Sequence, residues 1–284
     1  MNLFASVPSL DLLQYTVVAN VFSFTVAAMG AAAIFLFLSR GQVAPKFRPA
    51  LLVSGLVVSI ACYHYFMIHH SWQMAFEFAS GSKGGSYVPS GRPFNDFYRY
   101  ADWILTVPLL MVELVAVLSL SKAASRPLLT KLVIAAALMI GLGYPGEVIS
   151  SPDRWAERVI WGALSSVPFF YILFVLWVEL TRSLVHQPPQ ARRLIEVARL
   201  VILITWSVYP IAYALGGTIP ALTAKAGNGG DPRYVVALQI GYALADITAK
   251  AGFGVLIYFI ARAKTDALAE SDPIAHGMAV PAGV

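Results

Sequence analysis

Seven long apolar segments constrain the fold of this 284-residue chain more than any other feature of its sequence. Each can cross a bilayer as a helix, which takes about 20 mainly apolar residues. Charged residues make up only 12% of the chain, about half the fraction usual in soluble domains. A large soluble core is the alternative, but the repeated segments favour an all-α bundle of seven transmembrane helices. The predicted helices cover 11–39, 50–72, 97–120, 128–147, 156–182, 194–216 and 232–262.

The positions of the lysines and arginines predict how the bundle is oriented. Of the 20 basic residues, 12 lie in the first, third and fifth connections and near the chain end, and six lie in the other connections. Basic residues accumulate on the cytoplasmic side, so we predict a cytoplasmic C-terminus and an outside N-terminus. The basic residues form no single patch, which argues against nucleic-acid binding. We expect one transmembrane domain over 1–262 and a flexible cytoplasmic tail over 263–284.

The third apolar segment carries three charged residues within RYADWILTVPLLMVEL, residues 99–114. At about 100° per residue, Arg99, Asp102 and Glu113 share one narrow face of the predicted helix, together with Thr106. Acids inside a membrane usually mark proton or ion pathways, because a charge there is costly. Two acids at different depths therefore indicate a proton relay. Contact between helices is the alternative, and for Glu113 alone both interpretations stay open.

The seventh segment supplies a cation within YALADITAKAGFG. Asp246 and Lys250 are four residues apart and share a helix face, so a self-neutralising pair is one interpretation. Lys250 is, however, too far from either helix end to reach water, and a desolvated amine reacts readily with carbonyls. An aromatic stripe in the sixth segment is usually core packing, but beside these residues it indicates a pocket for a flat, aldehyde-derived chromophore. The stripe comprises Trp206, Tyr209, Pro210 and Tyr213.

These motifs resemble those of microbial rhodopsins across essentially all seven helices, most closely the proteorhodopsin and xanthorhodopsin-like proton pumps. The resemblance implies all-trans retinal bound to Lys250 as a protonated Schiff base. It implies that Asp102 is the counterion and first proton acceptor, and that Asp246 is the second counterion. Arg99 would order water beneath them. Glu113 would return a proton from the cytoplasmic side, and its apolar surroundings favour the protonated form that a donor needs.

Further site residues follow from the same resemblance. His64, in ACYHYFMIHH, resembles the histidine that pairs with the counterion aspartate in proteorhodopsins, although a buried core histidine is the alternative. Leucine at position 110 fits green rather than blue absorption. Bacteriorhodopsin has a glutamate pair at its extracellular exit, whereas this chain offers only Asp231 there, so the release group is unassigned. The implied pocket walls are Trp103, Leu110, Met139, Trp161, Trp206, Tyr209 and Tyr213.

Gly162, in RVIWGALSS, stands where many relatives carry a tryptophan near the retinal ring. Tight helix packing around a small residue is one interpretation. The other is the xanthorhodopsin pattern, in which glycine opens a window for a carotenoid antenna, here a hydroxylated or keto-carotenoid. We expect the missing side chain to leave a lipid-facing opening beside the ring.

The combined prediction is a light-driven outward proton pump, not an enzyme, in the bacterial cytoplasmic (inner) membrane. Its expected partners are protons, lipids and copies of itself in a pentamer or trimer; no metal is expected. A sodium pump would carry asparagine and glutamine in the roles of Asp102 and Glu113. A chloride pump would lack the first carboxylate, and sensory relatives usually lack the second. The alternatives are a seven-helix photosensor and a transporter or receptor whose lysine binds no chromophore.

Overall fold

The protein is a bundle of seven helices in a computed structural model that describes residues 7–80, 85–95, 97–118, 120–149, 154–215 and 231–271. Within these ranges seven helices are long and apolar enough to cross a membrane, which confirms the predicted fold class. The helices are α1 (Leu12–Leu38), α2 (Arg48–Ala75), α3 (Tyr98–Leu118), α4 (Lys122–Glu147), α5 (Trp155–Ser183), α6 (Pro189–Leu215) and α7 (Pro232–Glu270).

Polar caps fix several helix ends. The Asp11 side chain accepts the backbone N–H of Gln14 at 2.7 Å, and the Gln14 side chain accepts the N–H of Asp11 at 3.0 Å, which is a capping box at the start of α1. Ser121 caps α4, which therefore begins six residues before the predicted 128. Asp231, the acid near the predicted exit, caps α7 by accepting the N–H of Arg233 at 2.8 Å.

The predicted end of the last helix at 262 is wrong, because α7 continues to Glu270. Residues 263–270, AKTDALAE, are mostly good helix formers. Lys264 is also buried against the bundle, at 7% exposure, so packing stabilises this extension. The apolar pattern marked only the apolar part of the helix and not its polar continuation. Residues 272–284 of the predicted tail lie outside the described residues.

A small sheet lies mainly outside the predicted helices, in the connection between the second and third helices. Strands β2 (Phe76–Ala79) and β3 (Ser86–Pro89) pair antiparallel, and β1 (Leu10–Asp11) pairs with the other edge of β3. Tyr15 of α1 stacks on Tyr87 of β3 with 3.6 Å between ring centroids. The sheet therefore ties the start of α1 to the α2–α3 connection.

The two helices that carry the predicted intramembrane charges, α3 and α7, form the interior of the bundle. In the most apolar parts of α3 and α7, 61% of the residues are buried, against 17% in α5. Residues Ile247–Gly252 of α7 form a π-helical segment that contains Lys250. Single-turn π segments are rare and frequently mark functional sites. The fold thus places an irregular turn of an interior helix at the lysine.

Candidate chromophore site and proton path

Lys250 lies in the centre of the bundle, and its ammonium contacts two carboxylates. The Nζ atom donates to Oδ1 of Asp246 at 2.8 Å and to Oδ2 of Asp102. The lysine is 2% exposed, and both aspartates are buried as completely. A buried charge is tolerated only when opposite charges lie close to it. Helices α3 and α7 each supply one such charge.

Aromatic side chains from three helices hold Asp246. Tyr65 of α2 donates its hydroxyl to Oδ2 at 2.7 Å, and Tyr209 of α6 donates its hydroxyl to Oδ1 at 2.7 Å. The indole N–H of Trp103 lies 3.4 Å from the same Oδ1. Both carboxylate oxygens therefore receive hydrogen bonds. Sequence reasoning assigned Tyr209 and Trp103 to the pocket but missed Tyr65, whose only signal was its place beside a histidine in an apolar stretch.

The carboxylate of Asp102 accepts fewer hydrogen bonds than the carboxylate of Asp246. Its Oδ2 contacts Lys250 and lies 3.5 Å from the hydroxyl of Thr106, which donates over a shorter distance, 2.9 Å, to the backbone carbonyl of Asp102. Its Oδ1 has no hydrogen-bond partner among the described residues. Nδ1 of His64 lies 3.8 Å from this Oδ1, beyond hydrogen-bond reach, and 3.0 Å from the carbonyl of Ile60. Asp102 therefore has an oxygen that can take up a proton.

Arg99 completes the charge balance of the buried cluster. One of its terminal nitrogens donates to Oε1 of Gln239 at 2.5 Å, and its guanidinium lies 5.0 Å from the ring centroid of Tyr242. Arg99 and Lys250 carry two positive charges, and the two aspartates carry two negative charges. Sequence reasoning did not select Gln239, because it is an uncharged residue in an apolar helix.

Glu113 is a separate buried acid on the same face of α3. It is 0% exposed, and neither carboxyl oxygen has a hydrogen-bond partner in the described part of the chain. Ser54 of α2 is nearby, but its hydroxyl donates to the carbonyl of Ala50 at 3.1 Å. Eleven residues separate Glu113 from Asp102, about 16 Å along the helix axis. The site suits a neutral carboxyl, because an unpaired charge in such surroundings is very costly.

A cavity of about 310 Å³ ends at Lys250. Its walls are mainly apolar and aromatic, as expected for a site that binds a flat apolar molecule. Trp161 does not line it but lies against α4, where a Cβ on Gly146 would be 2.9 Å from the Cβ of Trp161. The other predicted wall residues do line it: Trp103, Leu110, Met139, Gly162, Trp206, Tyr209, Pro210 and Tyr213.

The cavity reaches the outer surface of the bundle between α5 and α6, where its lining residues Val159, Ala163 and Ala214 are exposed. Gly162 itself does not face empty space. A Cβ placed on it would lie 2.6 Å from Cε1 of Tyr213, so the tyrosine ring packs directly on the glycine. The hydroxyl of Tyr213 donates to the backbone carbonyl of Arg158 at 2.8 Å, which fixes the ring. The ring of Tyr213 therefore forms one edge of the lipid-facing opening that was predicted at Gly162.

Comparisons with known proteins show which proteins this chain is similar to. Xanthorhodopsin, described as a light-driven ion pump with dual chromophore, is 48% identical over 93% of this chain and 99% of its own, with a TM-score of 0.83. A thermophilic rhodopsin structure is 48% identical over 94% of this chain and 100% of its own, also with a TM-score of 0.83. The green-light absorbing proteorhodopsin of Gamma-proteobacterium EBAC31A08 is 30% identical over 89% of this chain and 88% of its own.

The family model described as bacteriorhodopsin-like protein matches residues 16–264, nearly the whole of the described bundle. The resemblance inferred from the motifs of the third, sixth and seventh helices is thereby confirmed. This chain belongs to the bacteriorhodopsin-like protein family.

Proposed function

We propose that this protein is a light-driven pump that moves protons out of the cell. One observation carries the proposal: the Lys250 nitrogen contacts Asp102, and a second acid, Glu113, lies about 16 Å away on the same face of α3. Asp102 has an oxygen free of hydrogen bonds, while Glu113 has no hydrogen-bond partner among the described residues. The first arrangement suits a proton acceptor and the second suits a loaded proton donor.

Retinal, the chromophore that the family implies, fits the residues present. The cavity of about 310 Å³ has mainly apolar walls and ends at Lys250, the only amine among the described residues that line it. Trp103, Trp206 and Tyr209 would enclose the chromophore. Bound covalently to Lys250, retinal supplies visible absorption and a light-driven change of shape.

The side chains support the proposed outward direction of proton transfer. The nitrogen of Lys250 gives its proton to Asp102, and Asp246 stays ionised because two tyrosine hydroxyls and an indole N–H hold it. Arg99 keeps the cluster electrically balanced. Glu113 returns a proton to the Lys250 nitrogen and is reloaded from the cytoplasm. His64, within 3.8 Å of Asp102, and Thr106 adjust how readily that aspartate accepts the proton.

The test is illumination of cells that express the protein in an unbuffered medium with added retinal. An outward proton pump acidifies the medium, and a protonophore abolishes the signal. Lys250→Ala is the control, because it removes the amine at which the cavity ends. A visible photocycle without any pH change would indicate a photosensor and contradict the proposal. Absence of a visible band would favour a transporter or receptor without chromophore.

We also propose a carotenoid antenna, hydroxylated or ketolated, which the cavity opening between α5 and α6 favours. The exposed lining residues Val159, Ala163 and Ala214 give a polyene access to the cavity edge. Lipid tails compete for this apolar surface, so shape rather than hydrophobicity must select the ligand. The 48% identity to a rhodopsin described as having a dual chromophore supports the assignment.

An action spectrum tests the antenna. With carotenoid present, blue light absorbed by the polyene should drive the photocycle, and Gly162→Trp should remove that contribution. Because an indole at 162 would displace the ring of Tyr213, the variant must first be shown to keep its retinal band. Tyr213→Phe is the matched control, since it keeps the glycine and the ring. If carotenoid adds nothing to the action spectrum of the unmodified protein, the glycine serves only in packing.

The setting of the pump is part of the proposal. The distribution of the basic residues supports a cytoplasmic C-terminus, and the bacterial inner membrane is the proposed location. A homo-oligomer, pentamer or trimer, is expected from the family resemblance, and mass measurement in detergent or nanodiscs would determine its size.

A further inference from the structure

Lys264 is a second buried lysine of α7, and it joins the end of that helix to the end of α3. It lies 14 residues after Lys250, about 21 Å along the axis on the predicted cytoplasmic side. Only 7% of it is exposed. Its ammonium donates to the backbone carbonyl of Val117 at 2.8 Å and to that of Leu118 at 3.3 Å.

These two carbonyls belong to the last turn of α3, where backbone acceptors have no partner within the helix and are usually hydrated. Here the ammonium of Lys264 takes the place of water. Val117 follows Glu113 by one helical turn, so the contact lies directly on the cytoplasmic side of the buried acid. The helix end above Glu113 is thus closed by a side chain from another helix.

An aromatic ring closes the other side of the contact. The Nζ atom of Lys264 lies 5.2 Å from the ring centroid of Phe47, which is completely buried in the α1–α2 connection. The neighbouring Thr265 accepts the backbone N–H of Ala44 at 2.9 Å, which holds this connection against α7. Three segments of the chain therefore meet over the end of α3.

We infer that Lys264 is a latch that closes the cytoplasmic approach to Glu113 in the resting state. The inference rests on the proposed proton pump. As a positioning residue, Lys264 keeps water away from the last turn of α3, so that Glu113 stays loaded until the cycle requires it. Because Lys250 and Lys264 share α7, a movement that starts at the chromophore site can release the contact.

Other charged residues on these and neighbouring segments are exposed or pair with groups other than the two carbonyls. Lys46, in the α1–α2 connection, is exposed and lies 5.1 Å from the same Phe47 ring. On α7, Arg262 pairs with Asp266 at 3.1 Å. On α6, Arg199 donates to Thr181 of α5 at 2.7 Å. Glu196 of α6 is exposed, and α2 presents the uncharged Ser54 toward Glu113.

The test measures how fast the Glu113 carboxyl exchanges its proton for deuterium in the dark, by infrared spectroscopy. The infrared band of the Glu113 carboxyl is identified by subtracting the spectrum of Glu113→Gln from that of the unmodified protein. Lys264→Met removes the donor but keeps an unbranched apolar side chain, so water must enter to hydrate the two carbonyls. Exchange should become about 2- to 30-fold faster, the range expected for loss of a coupling contact. Lys264→Arg, which retains a cationic donor, should exchange as slowly as the unmodified protein.

Lys46→Met is the matched control, because it removes the same charge beside the same ring without touching α3. Equal exchange rates in Lys264→Met and Lys46→Met, whether fast or slow, would overturn the latch. If Lys264→Met fails to fold, Phe47→Leu loosens the other side of the contact and should also speed exchange; unchanged exchange in that variant would overturn the latch. The measurement needs neither light nor transport, so failure of the pump proposal is seen separately, as absent acidification by the unmodified protein.

A flash experiment gives a second readout. In Lys264→Met the loading of Glu113 should follow the bulk pH, so reprotonation of the Lys250 nitrogen should slow at a lower pH than in the unmodified protein. A residue with only a structural role would lower thermal stability and leave this pH profile unchanged. That outcome would overturn the inference.

Discussion

Asp102 and Glu113 lie on one face of α3 and are equally buried, at 1% and 0% exposure, yet their surroundings differ completely. Asp102 contacts the ammonium of Lys250, and two further charged groups, Asp246 and Arg99, complete a balanced cluster. Glu113 has no hydrogen-bond donor among the described residues. Burial alone therefore does not decide what an intramembrane acid can do. The neighbouring charges decide it, because an ion needs a counter-charge and a neutral carboxyl does not.

The same contrast separates the two aspartates. Asp246 receives hydrogen bonds on both oxygens, whereas Asp102 keeps one oxygen without a partner among the described residues. A carboxylate that already accepts several donors gains little from a proton, while a free oxygen can bind one without breaking a contact. The geometry thus distinguishes a fixed counterion from an acceptor and a donor. Four substitutions test that distinction.

The largest effect is expected from Lys250→Ala. Loss of the amine should abolish the visible band completely, because none of the other described residues that line the cavity carries an amine. Circular dichroism should still show a helical bundle. Lys264→Met, which removes the other buried amine of α7, should keep the band. A visible chromophore that persists in Lys250→Ala would overturn the assignment of the site.

The second-largest effect is expected from Asp102→Asn. It removes the acceptor and leaves a buried cation with one carboxylate fewer, a change that costs about 3–5 kcal/mol for a broken buried pair. Light-driven acidification should vanish, and the band should shift to the red because the positive charge near Lys250 is less stabilised. Absorption spectra and pH recordings on the same membranes check both. If Asp102→Asn acidified the medium as fast as the unmodified protein does, a residue other than Asp102 would be the proton acceptor.

Glu113→Gln should leave the colour nearly unchanged but slow reprotonation of the Lys250 nitrogen. Loss of a positioned proton donor costs roughly a hundredfold in rate. The remaining proton must come from the bulk, so the rate should fall about tenfold per pH unit as the pH rises. Flash photolysis between about pH 6 and about pH 9 measures this reprotonation rate. If the Lys250 nitrogen were reprotonated as fast in Glu113→Gln as in the unmodified protein, Glu113 would have only a structural role.

His64→Asn should have the smallest effect. The imidazole lies 3.8 Å from Asp102 and donates instead to the carbonyl of Ile60, so it acts through space and not through a hydrogen bond. The acid-induced colour transition should move measurably along the pH axis. A spectroscopic pH titration measures the midpoint. An unmoved midpoint would leave His64 as a core residue.

Sequence reasoning identified the elements of the site that are local in the chain. The shared face of Arg99, Asp102 and Glu113 follows from the helical period, and the spacing of Asp246 and Lys250 follows from the same period. Trp161 shows the limit of such reasoning. Its neighbour Gly162 lines the cavity, whereas Trp161 faces α4, because adjacent residues point about 100° apart around a helix.

The sequence by itself determined the seven membrane-crossing helices, the stripe of charges and the family, because apolar length and helical period are properties of neighbouring residues. Only the tertiary structure decided the partners. Arg99 meets Gln239 and Lys264 meets Val117 across more than a hundred residues, and neither partner carries a charge or a motif that marks it. Lys264 looked like a cation of the tail, yet it is buried because α7 extends past the apolar segment and packs against the end of α3. Contacts of this kind depend on how helices are placed side by side, which no local pattern records.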